Sequence, residues 1–211
     1  MTKTTEARWP AAVALVACIV LYVVLPSRLV IGPKWLLPVL IGLPLIPLGI
    51  VRHESLGESI WIRRCALVLL GIVTLANMGS VALLVHRLLS ANVTQGSQLI
   101  YSAVAIWATN VILYGVWLWE IDRGGPLHRA AGTQLRIDLQ FPQMENPSLA
   151  PDGWRPTFTD YLYSSFANGT SFAPADAMPL TRRAKILFAS ESIVSLVTIS
   201  VVAARAVNIL K

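Results

Sequence analysis

Five apolar segments, each close to the length of a bilayer-spanning helix, constrain this chain more than any other feature of its sequence. A helix needs roughly 20 mainly apolar residues to cross the hydrocarbon core, and an isolated span must be helical because lipid offers its backbone no hydrogen-bond partners. The segments are Trp9 to Leu25, Trp35 to Val51, Cys65 to Leu89, Leu99 to Trp119 and Ala184 to Leu210. We therefore expect an all-α membrane protein with about five transmembrane helices.

The composition agrees with a multi-pass protein of a cell membrane. Apolar residues make up 55 % of the 211 residues and charged residues only 13 %, whereas soluble domains average about 25 % charged residues. Five spans and their connections use most of the chain, so a large extramembrane domain is excluded. The lipid bilayer is thus its first expected partner.

Several classes of function lack support in the sequence. The net charge is +6, but the Lys and Arg residues form no basic run, so nucleic acid is not an expected partner. The two cysteines, Cys18 and Cys65, form no CxxC motif and have no His at metal-ligand spacing. No Ser, His and acid motif for nucleophilic catalysis is visible. We therefore expect no enzyme, no catalytic residue, no metal and no cofactor.

The second apolar segment is the least regular, since it contains Pro38, Pro44 and Pro47. Each proline removes a backbone donor and favours a kink. Broken helices mark substrate sites in some transporters, although membrane helices tolerate proline generally. Whether this span crosses fully stays open, and a small solute transporter is a weaker alternative function.

The charge distribution does not settle the membrane orientation. Five spans would place the two termini on opposite sides, and outside the long fourth connection the loop Lys and Arg divide equally, five on each side. The cations of that connection itself would favour a cytoplasmic position for it.

The long fourth connection, from Glu120 to Arg183, is polar and rich in Gly and Pro, with one exception. Residues Phe158 to Phe172, FTDYLYSSFANGTSF, are apolar enough to form a helix but too few to cross the bilayer. Such a segment is typical of re-entrant or interfacial helices. Thr157 or Thr159 can cap its N-terminus, and Asn168 with Gly169 can end it.

The order and residues of this region resemble the pore module of potassium channels and their prokaryotic relatives. The residues similar to the pore-helix pattern DYLYFSF are Asp160, Tyr161, Leu162, Tyr163, Ser165 and Phe166. Without a gap, the residues that fall on the filter signature TTVGYGD are Thr170, Ser171, Phe172, Ala173, Pro174, Ala175 and Asp176. Glu191 and the stretch Val201 to Arg205 are similar to the inner helix of small bacterial members.

This resemblance implies two parts: a three-helix N-terminal scaffold over residues 1–98 and a pore-loop module over residues 99–211. The module's segments would be the outer helix 99–119, the loop 120–157, the short helix 158–169, the filter-like stretch 170–176 and the inner helix 184–210. It further implies a homo-tetramer around a pore for cations. The chain also resembles a family of bacterial membrane proteins with a similar DYLYxxF segment and an Arg-flanked last helix, so we expect the bacterial inner membrane.

The filter-like stretch departs from the potassium signature where that signature matters most. A potassium filter lines up backbone carbonyls, and its two glycines allow backbone angles closed to other residues. Here both positions are alanine, Ala173 and Ala175, and Pro174 replaces the tyrosine between them. Ser195 stands where the inner helix often has a hinge glycine. We therefore expect no potassium selectivity, and Ser195 favours a straighter and less flexible inner helix than a glycine would.

Two main functions stay open. The first is an ion-conducting pore that is not selective for potassium, in which Asp176 would be a mouth charge that attracts cations. The second is a non-conducting structural or partner-binding protein that retains the pore-loop fold, in which Asp176 is a solvated loop acid. Asn77 and Asn110, near the middles of their spans, are expected to bond across helices.

Glu191 is the expected support of the short helix. It lies about two turns into the final helix, where a carboxyl group must be neutral, be paired or face polar groups. It would either accept hydrogen bonds from Tyr161 or Tyr163, or lie close enough to the interface to pair with Arg182 or Lys185.

Overall fold

The chain is almost entirely helical in the ranges that the computed structural model describes, residues 9–30, 32–42, 60–89, 96–130, 136–171 and 177–209. Its helices are α1 (Trp9–Val24), α2 (Ile60–Leu89), α3 (Gly96–Ile121), α4 (Pro126–Ala130), α5 (Pro142–Glu145), α6 (Phe158–Ser171) and α7 (Arg182–Ile209); residues 36–42 are also helical. Turns of 3₁₀ helix lie at Ser27–Leu29, Asp122–Gly124 and Pro147–Leu149. A short antiparallel ladder pairs β1 (Leu139–Gln140) with β2 (Met178–Pro179).

Within these ranges, three helical stretches are long and apolar enough to cross a membrane: Arg63–Leu89, Gln98–Gly124 and Arg182–Arg205. The apolar helix α1 has only 16 residues. The expected all-α membrane protein is confirmed, whereas the count of five spans stays a prediction. Pro38 lies within the helical residues 36–42, but the rest of the predicted second span, with Pro44 and Pro47, lies outside the described residues.

The three long helices extend beyond the apolar runs that predicted them. Helix α2 begins at Ile60 rather than Cys65, α3 covers Gly96–Ile121 rather than 99–119, and α7 begins at Arg182 rather than Ala184. Polar and charged residues continue a membrane helix into the interface, because long side chains reach water while the backbone stays hydrogen-bonded. The apolar run alone therefore underestimates the length of the helix.

The short helix α6 also extends past its predicted end at residue 169. Thr170 and Ser171, which were expected to begin the filter-like stretch, form its last turn. Their hydroxyls donate to the carbonyls of Phe166 (2.9 Å) and Ala167 (2.5 Å). Gly169 does not end the helix, because it remains helical and packs closely against the neighbouring helices.

Helix α3 is the centre of the bundle. About two-thirds (67 %) of its apolar window is buried, against 39 % for α2 and 33 % for α7. It contacts α1, α2, α6 and α7. Its fully buried side chains include Ile106, Leu113 and Leu118. The position of α6 is therefore decided mainly by its contact with α3.

The carboxylate of Asp160 caps the start of α6. The amide and hydroxyl of Thr157 both donate to Asp160 Oδ2, at 2.7 and 2.8 Å, and the amide of Asp160 donates to the carbonyl of Thr157 (3.0 Å). The Asp160 carboxylate thus satisfies the Thr157 amide, as the acidic residue of a capping box does, whereas the Thr157 hydroxyl is a donor here. The cap lies at Thr157, but the capping group is the carboxylate of Asp160 and not the expected threonine hydroxyl.

Asp122 follows α3 directly and lies in the polar excursion, the long connection from Glu120 to Arg183. It bonds to two other parts of that excursion, β1 and α6. Its carboxylate is fully buried. Oδ1 accepts from the amides of Asp138 (2.9 Å) and Leu139 (3.3 Å), and Oδ2 accepts from the hydroxyl of Tyr161 (2.7 Å). Arg123 approaches Oδ2 at 3.8 Å. One carboxylate thus fixes both the β1 segment and the first half of α6.

Asp138 connects the same excursion to the start of α7. Its buried carboxylate accepts from Thr181 Oγ1 (2.5 Å) and from Nε and a terminal nitrogen of Arg183 (2.6 and 2.5 Å), a bidentate pair of the strong, charge-assisted kind. Burial by itself raises the pKa of Asp138, but the hydrogen bonds from Arg183 and Thr181 outweigh it and hold the pKa below its ordinary value.

Removing the Asp138 carboxylate should destabilise the fold. We expect Asp138→Ala to lower the free energy of unfolding by about 2 kcal/mol, because Thr181 and Arg183 lose a shared acceptor while the half-exposed Arg183 regains some hydration. Since folding lowers the pKa of Asp138, its contribution is present above the unfolded value of about 3.9 and is lost as pH falls through the lower folded value. Chemical unfolding in mild detergent at neutral and acid pH measures both effects.

Asp152→Ala is the matched control, because Asp152 is an exposed acid of the same excursion and should contribute little. The same loss in both variants, or an undiminished acid sensitivity in Asp138→Ala, would contradict the assignment.

Candidate functional site

Glu191 lies at the centre of a hydrogen-bonded cluster between α6 and α7. Its side chain is fully buried. Oε2 accepts from Nδ2 of Asn168 (2.8 Å), and Oε1 is in hydrogen-bond contact with the hydroxyl of Ser165. Glu191 is therefore bonded to the short helix as expected, but through Ser165 and Asn168; the expectation that Tyr161 or Tyr163 would be the donor is wrong.

The two α6 side chains that contact Glu191 also bond to the backbone of both long helices. Ser165 Oγ lies 2.7 Å from the carbonyl of Val111 on α3. Asn168 Nδ2 donates to the carbonyl of Phe188 on α7 (3.0 Å), and its Oδ1 accepts from the hydroxyl of Ser192 (3.1 Å). The polar face of α6 is thus directed toward α3 and α7.

Further polar contacts join α3 directly to α7. Asn110 Nδ2 donates to Ser195 Oγ (3.2 Å), and the hydroxyl of Tyr114 donates to Ser190 Oγ (2.9 Å). Asn77 of α2 donates to a carbonyl of α3 at 3.5 Å. The expected bonding of Asn77 and Asn110 across helices is confirmed; such bonds contribute on average about 0.6 kcal/mol each.

Ser195, the predicted hinge position, is fully buried at this contact. Helix α7 runs without interruption through it, from Arg182 to Ile209. Its hydroxyl faces Asn110 and the backbone of Gly169. The observed role of Ser195 is therefore helix packing.

Two glycines allow α6 to approach its neighbours closely. A Cβ atom on Gly115 of α3 would lie 3.1 Å from the Cα of Leu162, which is backbone. A Cβ atom on Gly169 would lie 3.2 Å from both Ser195 Oγ and Val111 Cγ2. These distances are shorter than ordinary van der Waals contacts, so a larger residue would force the helices apart.

The remaining pore-helix residues divide between the two sides of α6. Tyr161 is fully buried and bonds to Asp122, with the guanidinium of Arg129 5.0 Å from its ring centre. Tyr163 and Phe166 lie on the other side and are about half exposed, and the Phe166 ring meets Trp107 edge-on at 5.9 Å. Asp160 caps the helix.

The filter-like stretch divides at the end of α6. Thr170 and Ser171 belong to the last helical turn, where the indole of Trp107 donates to the carbonyl of Gly169 (3.2 Å). The other filter-like residues lie outside the described residues: Phe172, Ala173, Pro174, Ala175 and Asp176. Their arrangement stays a prediction.

Sequence reasoning missed the importance of Ser165 and Asn168 and treated Asn168 only as a helix end. A signal for both was present in their spacing. With Phe158 and Tyr161 they occupy positions i, i+3, i+7 and i+10, which fall on one face of a helix. All four side chains are buried.

Within the described residues, no three His, Cys, Asp or Glu side chains lie close enough together to hold a metal ion. No protein-family model, no curated protein and no solved structure matches the chain. What the site can do is therefore inferred from its own geometry.

Replacing Gly115, the α3 glycine that contacts α6, with a larger residue should displace that helix. We expect Gly115→Ala to lower the free energy of unfolding by about 1–3 kcal/mol, because the added methyl meets the backbone of Leu162, which cannot move aside alone. Gly71→Ala is the matched control, since a Cβ there would lie 3.8 Å from Trp117, an ordinary contact. It should be neutral or stabilising by up to about 1 kcal/mol. Denaturant titrations in detergent measure both, and a neutral Gly115→Ala would contradict the close approach.

Proposed function

We propose that this chain is a channel-like membrane protein that forms an ion-conducting pore not selective for potassium. One observation carries the proposal: the 14-residue helix α6, too short to span a bilayer, packs against both α3 and α7, the membrane-length helices that flank it in sequence. Outer helix, re-entrant helix and inner helix follow one another in the order of a pore-loop module. The hydrogen bonds of Ser165, Asn168 and Glu191 support this placement of α6.

In the proposed assembly, four copies surround an axis in the bacterial inner membrane. Each copy supplies α3 as outer helix, α6 as pore helix and α7 as inner helix. The surface of α7 is compatible with neighbours, because only 33 % of its apolar window is buried within one chain. Its exposed apolar side chains include Ile186, Ile193 and Leu196.

Contacts between helix ends support successive spans that alternate in direction. At one end of the bundle, Arg63 near the start of α2 donates to the carbonyl of Glu120 at the end of α3 (3.0 Å). At the other, Arg87 near the end of α2 donates to the carbonyl of Arg28, just after α1 (3.3 Å). Helices α2 and α3 therefore run in opposite directions, whereas α1 and α2 run in the same direction, as expected if the predicted second span lies between them. With five spans, the polar excursion and the C-terminus would then lie on opposite sides.

Selectivity in this pore would differ from that of a potassium filter. A carbonyl ladder needs backbone angles that Ala173 and Ala175 disfavour, and Pro174 removes a backbone donor. We infer that cations are instead attracted by a ring of Asp176 carboxylates at the mouth, since acidic rings serve this purpose in cation channels.

The second candidate is a non-conducting protein that keeps the pore-loop fold for packing or partner binding. The observation that favours it is that the polar face of α6 is satisfied within one chain, by α3 and α7, and requires no neighbouring copy. A small transporter that uses the proline-rich second segment is the weaker third candidate.

Conduction separates the first two candidates. Purified protein, with its oligomer mass first measured in native detergent, should form a tetramer and pass ions in planar bilayers. Asp176→Asn should reduce the preference for cations over anions, because it removes the mouth charge. Asp152→Asn, which changes an exposed acid elsewhere in the excursion, is the control and should leave selectivity unchanged. A monomer without current at any voltage, pH or ion composition would favour the non-conducting alternative.

Membrane orientation gives an independent test. The channel proposal requires the excursion from Glu120 to Arg183 to lie outside the cytoplasm and the C-terminus inside it. A reporter active only in the cytoplasm, fused after Lys211, should therefore be active, whereas one active only in the periplasm should be silent. The reverse result would reject the pore-loop proposal.

A further inference from the structure

We propose that Glu191 is a proton-binding site within the membrane, and that the proton it carries on Oε1 holds α6 between α3 and α7. The contacts of Glu191 lie within one chain and do not depend on ion conduction.

The hydrogen-bond geometry around Ser165 calls for one proton more than Ser165 itself carries. Its hydroxyl oxygen lies within hydrogen-bond distance of two oxygens, the Val111 carbonyl (2.7 Å) and Glu191 Oε1. A hydroxyl has only one proton to donate, and a carbonyl oxygen has none. If the Ser165 proton goes to Val111, the contact with Glu191 is a hydrogen bond only when Oε1 carries a proton and donates it to Ser165 Oγ. A protonated Glu191 therefore satisfies all three oxygens at once.

Asn168 cannot supply the missing proton. Its two amide protons go to the carbonyl of Phe188 (3.0 Å) and to Glu191 Oε2 (2.8 Å). Its own oxygen is held by the hydroxyl of Ser192 (3.1 Å), which fixes the orientation of the amide. The amide thus bonds to Oε2 and leaves the proton on Oε1 as the remaining donor for Ser165.

The side chains that face Glu191 from α6 and α3 are uncharged. From α6, Glu191 is faced by the neutral groups of Ser165 and Asn168; from α3, by neutral Asn110 and by Tyr114, a titratable group whose hydroxyl donates to Ser190 (2.9 Å).

Helix α2, which also packs against α7, buries only neutral polar side chains in its middle: Thr74, Asn77 and Ser80. Within the described residues Glu191 has no cationic partner. An unpaired, fully buried carboxylate at membrane depth is costly, whereas the protonated acid is a neutral hydrogen-bonding group.

The proton on Glu191 affects the structure because Glu191 contacts the second half of α6. Tyr161 and Asp122 hold the first half of α6, and Glu191 holds the second half through Ser165 and Asn168. Loss of the proton would leave Ser165 Oγ with two acceptors for one proton and place a charge among neutral groups. The second half of α6, which includes the first two residues of the filter-like stretch, would then be released from α7 as pH rises.

Infrared spectroscopy of the full chain in lipid nanodiscs tests the proton directly. At neutral pH the wild type should show a C=O stretch of a buried, protonated carboxyl group that is absent from Glu191→Gln. The control Glu145→Gln changes an exposed glutamate of α5 and should retain the band.

Thermal unfolding across pH tests the consequence. Glu191→Gln should match the wild type at neutral pH, because its amide can donate to Ser165 and accept from Asn168 as the protonated acid does. It should also lose the fall in melting temperature that the wild type shows as pH rises. Glu191→Ala should melt below both at every pH; if that variant does not fold, the Gln comparison alone decides.

Three outcomes would overturn the proposal: no such band in the wild type, an unchanged band in Glu191→Gln, or a Glu191→Gln variant destabilised as much as Glu191→Ala. Each would mean that Glu191 acts as an ionised group. A failure of the conduction experiment leaves the band unaffected, so the two proposals can fail separately.

Discussion

The hydrogen-bonded contact between α6 and Glu191 is the constraint on which the arrangement of the last two long helices depends. A helix of 14 residues cannot cross the bilayer, and its serine and asparagine side chains are poorly accommodated by lipid. Ser165 and Asn168 must therefore face protein, which requires a polar group at the matching height on a neighbouring helix. Glu191 is that group, and burying it is tolerable only because α6 covers it.

A second cluster complements this contact near the other end of α6. It consists of Asp122 and Asp138 with the groups that bond to them, among them Thr181 and Arg183. It joins three segments distant in sequence: the end of α3, the β1 segment and the start of α7. Tyr161 links the cluster to α6. Hydrogen bonds therefore hold α6 at Tyr161 in its first half and at Ser165 and Asn168 in its second half. Close approach at Gly115 and Gly169 then fills the space between these polar contacts with van der Waals packing.

The fold class was predictable because it follows from the lengths of apolar runs, whereas the cap of α6 uses the carboxylate of Asp160 and not the threonine hydroxyl that residue type alone favours. The position of Glu191 in its helix left two alternatives, a bond to α6 or a pair with Arg182 or Lys185, and the contacts with Ser165 and Asn168 select the first. The donors are not predictable from hydrogen-bonding chemistry, which favours tyrosine hydroxyls, because they depend on the helical phase that turns Tyr163 outward and Ser165 inward. The pairing of Asp138 with Arg183, 45 residues later in sequence, left no local pattern, since it depends on the β1–β2 ladder bringing distant segments together.

The β1–β2 ladder also has a consequence for how the protein is made. Because β1 precedes α6 and β2 follows it, the ladder closes the segment that contains α6 into a loop. Some of the hydrogen-bond partners of α6, namely Phe188, Glu191 and Ser192, belong to α7. During synthesis α3 emerges long before α7, so for that interval the polar face of α6 has only half of its partners. Docking of α6 is therefore a late step of biogenesis, completed only when the last helix has been inserted, and the excursion must wait in water or at the membrane surface until then.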